Sequence, residues 1–150
     1  MAKPQPRRHV LPGVARLLEH LASLSGIHLG LLTGNLERSA RIKLEPFGLN
    51  RFFRHGGFGS DHHDREQIAR IARSRVETAS GVRFAPSRIT VIGDTERDVL
   101  CARHNGFRAV ALGTGWTDKE RLEAARPDAY LPDLSDLDAA LGALGFPATP

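Results

Sequence analysis

The stretch ITVIGDTERDVLCARHNGF, residues 89–107, decides the fold of this chain. Its first four residues are mostly apolar, which predicts a buried strand over 89–92. Gly93 follows the strand, and the segment 96–105 predicts a helix that ends at Asn105-Gly106, a favourable C-terminal cap. A strand that passes through a short turn into a helix is the building unit of parallel α/β sheets.

Segments of the same two kinds alternate along the rest of the chain. Strands are predicted over 27–32, near 53–55, over 108–112 and over 128–131. Helices are predicted over 14–25, 36–46 and 65–79, from Thr117 with its capping-box partner Glu120 to about 125, and after the cap Ser135. Right-handed crossovers between such strands predict one α/β domain with a three-layer, Rossmann-like parallel sheet. Ligands of this architecture bind beyond the carboxyl ends of the strands.

Composition bounds the class of protein. The chain has 150 residues, 41% of them apolar and 25% charged, as expected for one soluble domain. It has no apolar run of membrane-spanning length, and the net charge of +4 is too small to indicate nucleic acid as a partner. The single Cys101 excludes an internal disulfide and a cysteine-based zinc cage, and it suits a cytoplasmic protein.

Two carboxylates, Asp94 and Asp98, follow the 89–92 strand four residues apart. Helix capping is one interpretation, with Thr95 as the N-cap and Asp98 as the third-position acid of a capping box. Capping needs only one of the two acids, and it does not explain Gly93, which permits close approach of the backbone to another group. Two carboxylates one helical turn apart at the end of a strand predict a site for Mg²⁺, which prefers oxygen ligands.

A second polar turn, LLTGN, follows the strand 27–32. Thr33 or Asn35 could serve as the N-cap of the next helix. Alternatively, the Thr33 hydroxyl and the backbone N–H groups of Gly34 and Asn35 could hold an anion such as phosphate at the helix N-terminus.

Taken together, these pieces resemble the haloacid dehalogenase (HAD) superfamily of phosphohydrolases, in particular its phosphoglycolate-phosphatase-like members. The matching segments cover nearly the whole chain in order: LPGVARLLEHLA, LGLLTGN, GFGSDHHDR, ITVIGDTERDVLCARHNGF, VALGTGWTDKERL and PDAYLPDLSDL. The resemblance implies Mg²⁺-dependent hydrolysis of a small phosphorylated metabolite.

The resemblance also implies roles for particular residues. Thr33 would hydrogen-bond the transferring phosphoryl group, Asp94 would bind Mg²⁺, and Asp98 would bind the metal or orient its shell. The basic residue that neutralises the phosphate would be Arg65, at the start of the helix 65–79. Lys43 is the alternative, although it lies roughly 12 Å along its helix from the mouth of the sheet.

One part of the family's pattern is absent from this sequence. The family's first motif, DxDGT or close to it, ends the first strand and supplies the attacking Asp. The only DxD here is Asp136-Leu137-Asp138, which opens a helix. We therefore expect a truncated, C-terminal portion of such a phosphatase without the first strand and the cap domain, with little phosphatase activity and weak Mg²⁺ binding by itself.

Loss of that strand would leave two strand edges facing a gap, the edge of 27–32 and the edge of 89–92. Either the two strands close up or another segment fills the gap, and self-association or pairing with the missing N-terminal segment would cover the edges. The alternative function is a non-enzymatic HAD-like scaffold that binds an anion or a protein partner. A receiver-like or flavodoxin-like module is disfavoured, because the acidic residues of this sequence do not occur in the order that such a module needs. A dinucleotide-binding site is also disfavoured, because no GxGxxG follows a strand. His62 and His63 are interpreted as surface residues of a loop.

Overall fold

The structure, a computed structural model, describes residues 9–147. Five strands lie in these residues: β1 (Gly30–Leu32), β2 (His55–Gly57), β3 (Thr90–Gly93), β4 (Arg108–Leu112) and β5 (Ala129–Leu131). Six α-helices accompany them: α1 (Val14–Ser23), α2 (Glu37–Leu44), α3 (Arg65–Ser80), α4 (Glu96–His104), α5 (Lys119–Ala124) and α6 (Leu137–Ala143). Short 3₁₀ turns cover Glu45–Phe47, Leu49–Phe52 and Pro86–Arg88.

The strands form two parallel sheets. β1 pairs with β2, with Gly30 opposite His55. The second sheet has the order β3-β4-β5, and Val110 lies opposite both Ile92 and Ala129. Within residues 9–147 no ladder of hydrogen bonds joins β1 to β3. The predicted parallel α/β class is confirmed, and the break falls between the two strands whose edges the sequence predicted to face a gap.

Helices cover both faces of the β3-β4-β5 sheet. Successive side chains of β4 accordingly point into two different apolar clusters, one on each face. Ala109 and Ala111 point into a cluster with side chains of α3, α4 and α5. Val110 and Leu112 point into the opposite cluster, which contains side chains of α1 and α6. A strand buried on both faces needs apolar residues at successive positions, and this accounts for the sequence RAVAL.

Packing between helices α3 and α4 holds the two sheets together. α3 packs on β1 and β2 and also against α4, while α4 packs on β3 and β4. Leu32 at the end of β1 and Val91 in β3 both pack against the same buried cluster. The carboxyl ends of β1 and β3 therefore open at the same edge of the molecule.

Two predicted strands differ from the observed ones by two residues or more at one end or both. Of the segment 27–32, only Gly30–Leu32 pairs with another strand, whereas Ile27 packs its side chain on the α1 and α6 cluster. The strand predicted near 53–55 begins at its last residue and covers His55–Gly57.

Two predicted helix caps are wrong by one residue. Asp118, not Thr117, caps α5 by accepting a hydrogen bond from a backbone N–H three residues later. Asp136, not Ser135, caps α6, because the Ser135 hydroxyl donates to Asp133 Oδ1 at 2.5 Å. The prediction that the DxD of residues 136–138 opens a helix is confirmed. No helix in the described part of the chain is long and apolar enough to cross a membrane.

Candidate functional site

A cavity of about 370 Å³ opens at the carboxyl ends of β1 and β3. Four of the residues singled out in the sequence line it together: Thr33, Arg65, Asp94 and Asp98. The rest of its lining comes from Gly93, Thr95 and Thr114, with Leu11, Leu32, Ile92 and Leu112 as its apolar part. The edge that the architecture predicted for ligand binding thus carries the polar side chains.

Thr33 begins a loop that is fixed to the β2 side of the molecule. Its backbone N–H donates to Gly57 O at 3.2 Å, and its hydroxyl oxygen accepts from Asn35 N at 3.1 Å. Gly59 N in turn donates to Asn35 O at 2.8 Å. The Asn35 amide is therefore used inside the loop, which leaves the Thr33 hydroxyl proton and the Gly34 amide as the donors that a ligand could reach.

The interpretation of Thr33 or Asn35 as the N-cap of α2 is wrong. Leu36 occupies the N-cap position, and no side chain makes a capping bond there. The Glu37 N–H donates to Ser60 Oγ at 3.2 Å instead. Thr33, in the β1–α2 loop, therefore does not cap α2.

Asp94 lies in the turn after β3 and is half-buried. Its carboxylate rests against Gly115, where an added Cβ would lie 2.6 Å from Asp94 Oδ2. Among residues 9–147 it has no hydrogen bond or ion pair. Asp94 therefore presents a carboxylate with free lone pairs to the cavity, the chemistry that a hard cation requires.

Asp98 is buried, with 8% of its surface exposed, and both of its carboxylate oxygens have partners. Oδ1 forms an ion pair with Arg65 Nη1. Oδ2 accepts from Thr95 N at 3.2 Å and from Thr95 Oγ1 at 2.8 Å. Thr95 and Asp98 also form a capping box at the start of α4, so the capping interpretation of these two residues, which the sequence offered beside the metal interpretation, is confirmed.

Arg65 is the first residue of α3, directly after the N-cap Asp64. Besides its ion pair with Asp98, its Nη2 atom lies beside Gly34, where an added Cβ would be 3.3 Å away. Lys43 lies exposed in the last turn of α2 and does not line the cavity. The cavity at the carboxyl ends of β1 and β3 is called the mouth from here on. The geometry therefore favours Arg65 over Lys43 as the basic residue at the mouth.

The donor set at the mouth fits Mg²⁺ only in part. Mg²⁺ is held in proteins by one or two carboxylates and keeps several waters, so Asp94 suits it. Within residues 9–147, however, no group of three or more His, Cys, Asp and Glu side chains is placed to hold a metal. The His62 and His63 rings stack at 4.5 Å, and His62 Nδ1 accepts from Asp64 N at 2.9 Å, so their contacts are those of a folded loop.

Cys101 lies buried beside the site on α4. Its Sγ atom is 3.5 Å from Arg65 O. Burial first, and then the negative charge of Asp98, raises the pKa of the Cys101 thiol to about 11. The thiol is therefore neutral at physiological pH and packs as a small apolar group.

Sequence reasoning assigned no role to the loop after β4. Thr114 lines the cavity, Gly115 contacts Asp94, and Trp116 is fully exposed beside them. The signal was present, because 108–112 was predicted as a strand of the same parallel sheet. The segment that follows it had to emerge at the same edge as Thr33 and Asp94.

Sequence comparisons connect the chain with phosphatases. A family model described as HAD-hydrolase-like matches residues 65–137. Over 132 residues the chain is 35% identical to a phosphoglycolate phosphatase from Synechococcus elongatus, covering 88% of this chain and 59% of that protein. Over 130 residues it is 32% identical to a phosphoglycolate phosphatase from Agrobacterium fabrum, covering 87% of this chain and 54% of that protein. The chain thus spans little more than half the length of these curated relatives.

Solved structures share the fold. A haloacid dehalogenase-like family hydrolase from Streptococcus pneumoniae superposes with a TM-score of 0.72 at 22% identity, over 87% of this chain and 59% of that one. A hydrolase from Pseudomonas syringae superposes with a TM-score of 0.68 at 25% identity, over 88% of this chain and 60% of that one. The parallel α/β fold, the family model and the sequence relatives agree that the chain is HAD-like, and its sequence is similar to those of phosphoglycolate phosphatases.

Proposed function

We propose that the chain supplies the phosphate-binding and cation-binding residues of a HAD-type phosphatase that acts on a small phosphorylated metabolite. The observation that carries the proposal is the convergence of Thr33, Arg65 and Asp94 on one cavity at the ends of β1 and β3. The named relatives, which are phosphoglycolate phosphatases, support this class of substrate.

Each residue has a distinct task in this proposal. The Thr33 hydroxyl and the Gly34 amide donate hydrogen bonds to phosphoryl oxygens and fix the phosphate at the end of β1. The Arg65 guanidinium offsets the negative charge of the phosphoryl group, which is most valuable as charge develops during transfer. Asp94 would hold Mg²⁺, which would supply Lewis-acid chemistry at the cavity.

The attacking carboxylate is not among these residues. Asp94 is reserved for the cation, Asp98 is committed to Arg65 and Thr95, and Asp136 caps α6. We propose that a further segment of chain, extended between the edges of β1 and β3 that are unpaired within residues 9–147, brings the attacking acid to the mouth. The isolated chain is then expected to bind phosphate and Mg²⁺ weakly and to show little turnover.

Phosphate binding by the 150-residue chain tests the proposed site directly. Inorganic phosphate is titrated against the purified chain and followed by phosphorus-31 NMR line broadening. Thr33→Val and Arg65→Gln should each weaken binding by about fivefold or more, as expected for the loss of a donor to a charged group. Thr90→Val, at the opposite end of β3, and Arg75→Gln, on the same helix as Arg65, are the matched controls. Equal effects of the controls and the site variants would refute the proposal.

Catalysis is tested with a chimera. The part of the Synechococcus relative that precedes the matched region is joined in frame to the N-terminus of this chain. Mg²⁺-dependent hydrolysis of phosphoglycolate or p-nitrophenyl phosphate should appear in the chimera and be lost in its Asp94→Asn variant. Turnover by the chain alone, abolished by Asp94→Asn, would contradict the expected inactivity.

The alternative is a non-enzymatic HAD-like scaffold that binds an anion or a protein partner. The absence of an aspartate nucleophile from the sequence favours it, whereas the Thr33, Arg65 and Asp94 arrangement favours the phosphatase. A chimera that binds phosphate at Thr33 and Arg65 but hydrolyses no phosphate ester would decide for the scaffold.

A further inference from the structure

We infer that Asp98 is the positioning residue for Arg65 and is not a ligand of the metal, so that Asp94 alone among the acids of this mouth receives the cation. The inference rests on the proposed function and deepens it, because it divides the two acids of GDTERD between two tasks. Asp94 serves the cation, while Asp98 serves the phosphate indirectly through the guanidinium.

The hydrogen bonds of Asp98 engage both of its carboxylate oxygens, whereas Asp94 has none among residues 9–147. Oδ1 is paired with Arg65 Nη1, and Oδ2 receives two donors from Thr95, at 3.2 and 2.8 Å. A cation at Asp98 would compete with the guanidinium for Oδ1 or with the capping box of α4 for Oδ2. It would also sit beside the positive charge of Arg65, which repels it.

The backbone at Gly93, the last residue of β3, leaves room for the Asp98 side chain. A Cβ at Gly93 would overlap the Asp98 carboxylate and Cβ atoms, so only glycine lets the side chain pack against the end of β3. The close approach that the sequence predicted at Gly93 is therefore to Asp98. The buried acid is held from its two sides, by the strand end and by the helix start.

One face of α4 contacts the first turn of α3. Asp98, Cys101 and Asn105 are spaced by three and four residues, so they lie on the same side of the helix. Asp98 pairs with the Arg65 side chain, Cys101 Sγ lies 3.5 Å from Arg65 O, and Asn105 Nδ2 donates to Glu66 O at 3.2 Å. The contacts fix both the backbone and the side chain of Arg65.

The planar guanidinium transmits this constraint to the mouth. With Nη1 held on Asp98, the rigid fork determines where Nη2 points. Nη2 lies beside Gly34, in the loop whose amide and neighbouring Thr33 hydroxyl are the proposed phosphate donors. Asp98 thus orients the second nitrogen of Arg65 toward the position of the phosphate.

The unsubstituted chain provides the first test, with carbon-13 NMR of its aspartate carboxyl groups during titration with Mg²⁺. The Asp94 carboxyl signal should shift, while the Asp98 signal should stay in place and the Arg65 guanidinium nitrogens should remain unchanged. An Asp98 shift equal to that of Asp94, with movement of the Arg65 signals, would overturn the inference. No substitution is involved, so a folding defect cannot obscure the result.

Substitutions provide the second test, with Mn²⁺ binding followed by EPR and inorganic phosphate binding followed by NMR. Asp94→Asn should weaken Mn²⁺ binding by about tenfold, whereas Asp98→Asn should change it by less than about twofold. For phosphate, Asp98→Asn and Arg65→Gln should each cost about tenfold, and the double variant should lose no more than either single variant. Additive losses, or loss of Mn²⁺ binding in Asp98→Asn, would refute the positioning role.

The control for the substitutions is Asp61→Asn, which removes a second aspartate–arginine ion pair, to Arg75, without touching the cavity. It should leave both affinities unchanged. Failure of the proposed function would be recognised separately, because inorganic phosphate would then not bind to the unsubstituted chain at all. The NMR signals of the Asp98–Arg65 pair would still decide the inference in that case.

Discussion

At the residue scale, the Asp98 side chain packs so closely on Gly93 that a larger residue does not fit at this position. An added methyl group would overlap the buried Asp98 side chain. We expect Gly93→Ala to lower the free energy of unfolding by about 2 kcal/mol, the usual range for overpacking a buried site. Gly142→Ala in α6 is the control, since nothing lies within 4 Å of the added Cβ. It should raise stability by up to about 1 kcal/mol through helix propensity.

Urea unfolding followed by circular dichroism measures both changes. If Gly93→Ala left the unfolding free energy as it is in the unsubstituted chain, the described packing of Asp98 against the strand end would be incorrect.

The reactivity of Cys101 is a second prediction for a single residue. Burial and the charge of Asp98 raise the thiol pKa to about 11, so the reactive thiolate is scarce at neutral pH. The thiol should react with Ellman's reagent far more slowly in the native chain at pH 7.5 than in the urea-unfolded chain. Its rate should rise as the pH approaches 11. Reaction of the native chain at the rate of an unfolded thiol would show that Cys101 is accessible.

Single-residue features were predicted unevenly from the sequence. The capping box of Thr95 and Asp98 could be predicted because both partners lie within one turn of one helix. The ion pair between Arg65 and Asp98 could not, since 33 residues separate its partners and only the packing of α3 on α4 brings them together.

At the scale of elements, an ion pair ties the β2–α3 loop to α3. Arg75 donates to both Asp61 carboxylate oxygens, at 2.6 and 2.7 Å, and to Gly56 O at 2.9 Å. The Arg75 bond lowers the pKa of Asp61 below its ordinary value of 3.8. A carboxyl whose pKa falls on folding adds stability at neutral pH, and that contribution is lost as the pH falls through its lowered value.

We therefore expect Asp61→Asn to lower stability at pH 7 by about 1 kcal/mol, since the pair is partly exposed. The difference between variant and parent should shrink below pH 3.8 and vanish in stronger acid. Thermal unfolding at a series of pH values measures it. A difference that stayed constant down to pH 2 would mean that the ion pair is not its source.

Element boundaries were predictable where the chain changes character abruptly. RAVAL is β4 to the residue, since it is apolar on both faces and is preceded by the Asn105-Gly106 helix end. The caps of α5 and α6 were each placed one residue early, because Thr117-Asp118 and Ser135-Asp136 offer two capping side chains in succession. Local sequence cannot choose between them, whereas the neighbouring hydrogen bonds do.

At the scale of the whole molecule, the two sheets should differ in local stability. β4 is paired on both sides and buried on both faces, while β1 and β3 each have one unpaired edge in the described part of the chain. Backbone amides should therefore exchange with deuterium slowest in β4 and fastest in β1 and β2. Addition of the N-terminal portion in the proposed chimera should slow exchange in β1 and β3. Uniform protection of all five strands in the chain alone would contradict the separation of the sheets.

The parallel α/β class followed from the alternation of strand and helix patterns along the chain. The break between β1 and β3 did not follow from any local pattern. It was expected only because the resemblance to HAD phosphatases supplied a strand that this sequence does not contain.

Trp116 gives the mouth an optical property of its own. It is the only tryptophan in the 150-residue sequence, its indole is fully exposed, and it adjoins Gly115, which touches Asp94. Indole emission shifts to shorter wavelength when water is excluded. A ligand or chain segment that covers Trp116 can thus be followed by intrinsic fluorescence, in real time and without a label.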